Sequence, residues 1–120
     1  MQPLYQPLND VVLAICEYLM PEGFDTTDNE QEINTHDKVK AYYESTGRIK
    51  VWTGASDETV FGSAAVNHAF RAWHDYVHTV FDLGFTADSE RIVSEIQQRQ
   101  VETLNQATRL YLSREQVQTV

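Results

Sequence analysis

His74 and His78 stand four residues apart in the stretch 66–78, Val-Asn-His-Ala-Phe-Arg-Ala-Trp-His-Asp-Tyr-Val-His. If that stretch is helical, the two imidazoles lie one turn apart on one face, where both can reach a single divalent ion. Cys16 is the only cysteine, so any metal site here must draw on His, Asp and Glu. At about 100° per residue, Asn67, Arg71, His74 and His78 fall on one line. His68 points away from His74 by more than about 100° and leaves the cluster. A third ligand has to come from another element.

The element carrying these residues also carries Val66, Phe70, Trp73, Val77 and Phe81 at spacings of four, three, four and four, an apolar stripe that predicts a core helix. The helix should begin within 58–63 and stop at Gly84, and Thr86 then caps a last helix with Asp88 and Glu90 at its positive end. The connection at 82–85 is short enough to fold the two into a long antiparallel hairpin. Counting outward from it sets His78 near Glu90, His74 near Val93 or Ser94, Arg71 near Gln97 and Asn67 near Gln100. Polar groups would then meet along one seam. Two explanations fit such a seam: a divalent ion (Zn, Mn or Fe) held by His74, His78 and Glu90, or a hydrogen-bonded network in which Asp75 and Arg71 orient the histidines.

The rest of the chain reads as support. Pro3 and Pro7 bracket an extended lead-in, and Asn9 or Asp10 caps a helix with Val11, Val12, Ile15, Tyr18 and Leu19 inward, ended near Met20 by Pro21. Cys16 falls on this apolar face as a small buried hydrophobe. Segment 22–34 has almost no apolar residues and predicts a flexible acidic loop. Thr35 caps a short helix to about Ser45, with Val39, Tyr42 and Tyr43 inward, Gly47 as its stop and His36 solvated in its first turn. Segment 48–53 alternates charged and apolar residues as a strand does; it pairs with 2–5 or with a second chain, or it lies over the helices as an extended connector. The last helix buries Ile92, Val93, Ile96, Leu104, Ala107, Leu110 and Tyr111 and reaches about Leu112 before fraying. The expected fold is mainly α: one domain over 1–120, a small helical bundle with at most one or two short strands.

The net charge of −9 is concentrated in residues 1–46, which hold nine acids and two lysines. That field opposes nucleic acid and anionic membranes and suits a basic protein partner, through Asp25, Asp28, Glu30 and Glu32, or simply solubility. No apolar run is long enough to span a bilayer, and residues 1–10 contain no Lys or Arg of the kind that opens a secretory signal. The expected compartment is the cytoplasm.

His74-Asp75-x-x-His78 is similar to the H-E-x-x-H pattern of zinc proteases, but Asp75 is shorter than the glutamate that acts there as general base, which argues against peptidase activity. His36-Asp37 together with His74-Asp75 is similar to the metal-dependent phosphohydrolases of the HD type, which need a larger helical array and more ligands. The segment Ile49-Lys50-Val51-Trp52-Thr53-Gly54-Ala55-Ser56, the F-R-A-W-H-D-x-x-H core at 70–78, Gly84-Phe85 and Glu90-Arg91 resemble a family of small uncharacterised bacteriophage proteins, over roughly residues 49–100. The resemblance implies a viral origin, hence an infected host cell as the setting, and groups Arg71, His74, Asp75, His78 and Glu90 as a unit. Two functions follow as expectations. One is a metal-dependent hydrolase, with Asp75 or Glu90 handling protons and Arg71 facing an anionic group of the substrate. The other is a non-enzymatic acidic protein that binds a host or viral protein, its histidine seam purely structural.

Overall fold

The computed structural model describes residues 6–55 and 61–119, with side chains over 8–55 and 61–105. Within them the chain is mainly helical, as expected. The order is α1 (Gln6–Leu19), β1 (Asp25–Thr27), a 3₁₀ turn (Glu30–Glu32), α2 (His36–Thr46), β2 (Lys50–Trp52), α3 (Ala64–Val80) and α4 (Ala87–Thr119). Among the described residues no helix is long and apolar enough to cross a membrane.

α1 starts earlier than the capping residues predict. Pro7 sits in its first turn, where a missing N–H leaves no bond unmade. Asn9 is therefore inside the helix, buried, and its Nδ2 donates to the Phe61 carbonyl at 2.7 Å. The lead-in at 1–5 lies outside the described residues. Val12, Ile15 and Cys16 face the core, whereas Tyr18, expected inward, is 84% exposed. Burial pushes the Cys16 thiol up to about 11, so it stays protonated at neutral pH.

Segment 22–34, expected as a flexible acidic loop, contains β1 and the 3₁₀ turn, and β1 is the partner of β2. The two strands are parallel, with Asp25 opposite Lys50, Thr26 opposite Val51 and Thr27 opposite Trp52. Parallel neighbours need a crossover, and α2 supplies it. The pairing rests on backbone bonds extended at each end by Asp25 N to Ile49 O (2.7 Å) and Thr53 N to Thr27 O (2.9 Å). Side chains fasten it. Arg48 Nε donates to Asp25 at 2.7 Å, the Tyr42 hydroxyl donates to the same carboxylate, and Lys50 Nζ meets Glu32 at 2.9 Å. Thr35 and Gly47 cap α2 as predicted, Gly47 in the left-handed region at φ 72°.

Ser63 caps α3 by accepting from Val66 N. The helix does not run on to Gly84. It ends at Val80, and Asp82 takes the left-handed conformation at φ 52°, while Leu83 N donates to His78 O at 2.8 Å. Aspartate tolerates that conformation better than most residues, and here Lys40 Nζ holds its carboxylate at 2.9 Å. The early stop leaves Phe81 half exposed rather than in the core stripe. Thr86 caps α4 by accepting from Ser89 N, and the helix continues past Leu112 to Thr119. Ile92, assigned to its buried face, is instead exposed. The core closes where Val12, Val39, Ile49, Val51, Val77 and Val93, each at most 2% exposed, meet from α1, α2, β2, α3, α4 and the approach to β2.

Candidate metal centre

Helical spacing brings His74 and His78 onto the α3 face that meets α4, and the Thr86 cap starts α4 so that Glu90 falls in its first turn. Glu90 Oε2 lies 3.0 Å from His74 Nε2, Glu90 Oε1 lies 3.0 Å from His78 Nε2, and the two Nε2 atoms are 3.2 Å apart. The three residues predicted from sequence as ligands thus bring their ligand atoms within 4.8 Å of one another. For ion–ligand bonds of about 2.0–2.1 Å, tetrahedral coordination separates ligands by about 3.3 Å, so a few tenths of an ångström of opening would admit an ion.

The remaining ring nitrogens define the protonation. His78 Nδ1 faces the Leu83 carbonyl at 2.8 Å, and a carbonyl only accepts, so that Nδ1 carries the hydrogen. His74 Nδ1 faces the Gln97 side-chain oxygen at 2.8 Å and donates in the same way. In the neutral rings both Nε2 atoms are then lone-pair acceptors. They point at each other and at two carboxylate oxygens, and four acceptors converge with no donor of their own between them. A ligating histidine that gives its other N–H to an oxygen is the usual arrangement around a protein-bound metal. His78 is 1% exposed on its side chain and Glu90 is 41%, so one ligand lies in the protein and one at the surface.

Aromatic rings enclose the pair. Phe70 stacks on His74 with centroids 6.1 Å apart, and Phe85 meets His78 edge-on at 4.9 Å. His36, expected in solvent, packs against both Phe85 (5.8 Å) and His78 (6.3 Å), and its Nε2 lies 3.3 Å from Asp82. Lys40 and His36 beside it hold the Asp82 carboxyl below its ordinary range. His36 sits 38 residues before His74 and 42 before His78 in sequence, and no helical period relates it to them. His68 is outside the cluster, as the wheel requires.

Arg71 is not opposite Gln97. Its Nη1 donates to the carbonyls of Trp52 (2.6 Å) and Gly54 (2.7 Å), and Nη2 to that of Ala55 (3.3 Å), fastening the end of β2 to α3. Gln100, expected near Asn67, accepts from Trp73 Nε1 at 2.7 Å. Asp75 lines, with His74, a cleft of about 300 Å³ that also takes in Arg71, Trp52, Phe70 and Phe85. Burial raises the Asp75 carboxyl to about 6, opposed by the positive charge that His74 and His78 can carry. Compared with protein families, with curated proteins and with solved structures, the chain matches none.

Proposed function

We propose that this is a divalent-metal protein in which His74, His78 and Glu90 hold a zinc-like ion on a seam between antiparallel helices, and that it acts as a hydrolase. The observation that carries the reading is the convergence of two Nε2 lone pairs and two Glu90 oxygens, with both Nδ1 hydrogens already given to oxygen acceptors. Either a cation or an added proton must lie among them, and three ligands of this kind leave room for a further one. An ion held by these residues would supply Lewis-acid activation of water near neutral pH. Asp75, at about 6, is mostly ionised at neutral pH and is the candidate proton acceptor. Arg71 gives three of its five N–H groups to the carbonyls of Trp52, Gly54 and Ala55, which assigns it to positioning the Trp52 wall rather than to gripping an anion. The phage-type affiliation of residues 49–100 remains part of the proposal, as does action in an infected cell.

Elemental analysis and thermal melting test it. Purified protein should carry one equivalent of metal or take up Zn²⁺, Mn²⁺ or Fe²⁺ with a rise in Tm, and H74A, H78A and E90Q should each abolish that rise. Absence of both uptake and Tm shift in the wild-type chain sinks the reading. The acidic-partner alternative is weaker, because two of the carboxylates it needs, Asp25 and Glu32, are already paired with Arg48 and Lys50.

A further inference from the structure

The cleft beside His74 has a chemistry of its own. Trp52, Phe70 and Phe85 give it aromatic walls, and its volume of about 300 Å³ is at the small end of ligand pockets, enough for a single ring with a short arm. Its polar groups are unbalanced. Asp75 and Glu30 both line it, and among the described residues no hydrogen bond reaches the Asp75 carboxylate. The cleft's one arginine gives Nη1 to two backbone carbonyls and Nη2 to a third. A ligand anion would therefore meet two carboxylates against a single guanidinium, three of whose N–H groups are given to carbonyls, within the field of a chain with net charge −9. A cation would meet two carboxylates with no hydrogen bond from the described residues, and the Phe70 and Phe85 rings beside the Trp52 ring that Arg71 already covers at 5.6 Å.

We propose that this cleft binds an amine-bearing ligand, its ammonium group directed at Asp75 and Glu30 and its apolar body held by Trp52, Phe70 and Phe85. This deepens the metal reading, since the cleft opens on His74, but it stands on different residues and is tested separately.

The test uses three probes with one ring and different charge, namely benzylamine, benzyl alcohol and benzoate, followed by NMR on the full chain with and without zinc. The two tryptophans supply a reporter and a control, because Trp52 lines the cleft while Trp73 is buried with its indole N–H on Gln100. Benzylamine should shift the Trp52 indole resonance saturably, leave that of Trp73 in place, and bind about tenfold more tightly than benzyl alcohol, with benzoate weakest. E30Q, at an exposed position, should reduce the preference for benzylamine, and D75N should abolish it. Binding by metal-free protein upholds the cleft even if zinc uptake fails. The proposal is overturned if benzoate or benzyl alcohol binds as well as benzylamine. It is equally overturned if Trp52 does not respond, or if benzylamine binds only in the zinc form and is indifferent to D75N, which would mark the amine as a metal ligand.

Discussion

His74 and His78 each donate Nδ1–H to an oxygen, but the two acceptors are unlike. The Leu83 carbonyl belongs to the backbone where α3 ends, so no substitution removes it. Gln97 is a buried side chain whose amide nitrogen has no hydrogen-bond partner among the described residues. Its oxygen alone keeps the His74 hydrogen on Nδ1 and the lone pair on Nε2. Q97A should weaken zinc binding by about 10- to 100-fold in a competition titration without abolishing it. Q97E, which offers only acceptors when ionised, should preserve or tighten binding. If Q97E instead lowers both zinc affinity and Tm in the absence of metal, the seam is a hydrogen-bonded network that needs an amide donor. The convergence of His74, His78 and Glu90 was legible in sequence because helical spacing and a four-residue connection constrain it directly. Gln97 was placed on the right helix but opposite Arg71, because counting residues gives the level of a side chain and not the direction in which it bends. His36 carried no signal, since its approach to His78 depends on how α2 packs.

At the scale of elements, the unit β1–α2–β2 packs on α3 through Val39, Ile49 and Val51, and one side chain of α3 fastens the end of β2. Arg71 reaches three carbonyls at or just beyond the end of β2, and its guanidinium lies 5.6 Å from the Trp52 ring. R71A should cost roughly 2 kcal/mol of stability, the worth of charge-assisted hydrogen bonds in a half-buried setting, while leaving zinc stoichiometry intact. A large loss of catalysis with unchanged stability in denaturant titration would restore a substrate-facing role for Arg71. Gly54 adds a second constraint, because a Cβ there would lie 2.1 Å from the Trp52 indole. The strand pair itself was hidden from sequence. Asp25-Thr26-Thr27 has no hydrophobic residue to signal a strand, and its partners are backbone groups and the Arg48–Tyr42 clamp on Asp25. That clamp has a pH signature. Hydrogen bonds from Tyr42 and Arg48 lower the Asp25 carboxyl below its unfolded value, so its stabilisation is present above the unfolded value and is lost as pH falls through the folded one. D25N should therefore be less stable than wild type at pH 7, and the gap should close in acid. A gap that is constant with pH would show that the carboxylate's charge contributes nothing.

At the scale of the whole molecule, α1 and α4 approach α3 by different means. α1 lays Val12, Ile15 and Cys16 into the core, whereas the described α4 contacts beside Val93 include a run of polar pairs: His78 and His74 with Glu90, His74 with Gln97, and Trp73 with Gln100. The mainly helical class was readable because apolar periodicity fixes which faces are buried. How firmly α4 is held was not, because polar pairs reveal their strength only once protonation and metal are known. An ion at Glu90 would replace mutual repulsion of acceptors by bonds that tie the first turns of α4 to the buried His78. Zinc should accordingly slow hydrogen exchange most in 87–100, with smaller effects in α1 and the strand pair, and chelation should reverse it. Because protons compete with the ion for the imidazoles, the protection should diminish as pH is lowered. Uniform protection across the chain would mean that exchange proceeds through global unfolding and that zinc acts on the fold as one unit. No protection in 87–100 under saturating zinc would place the ion elsewhere.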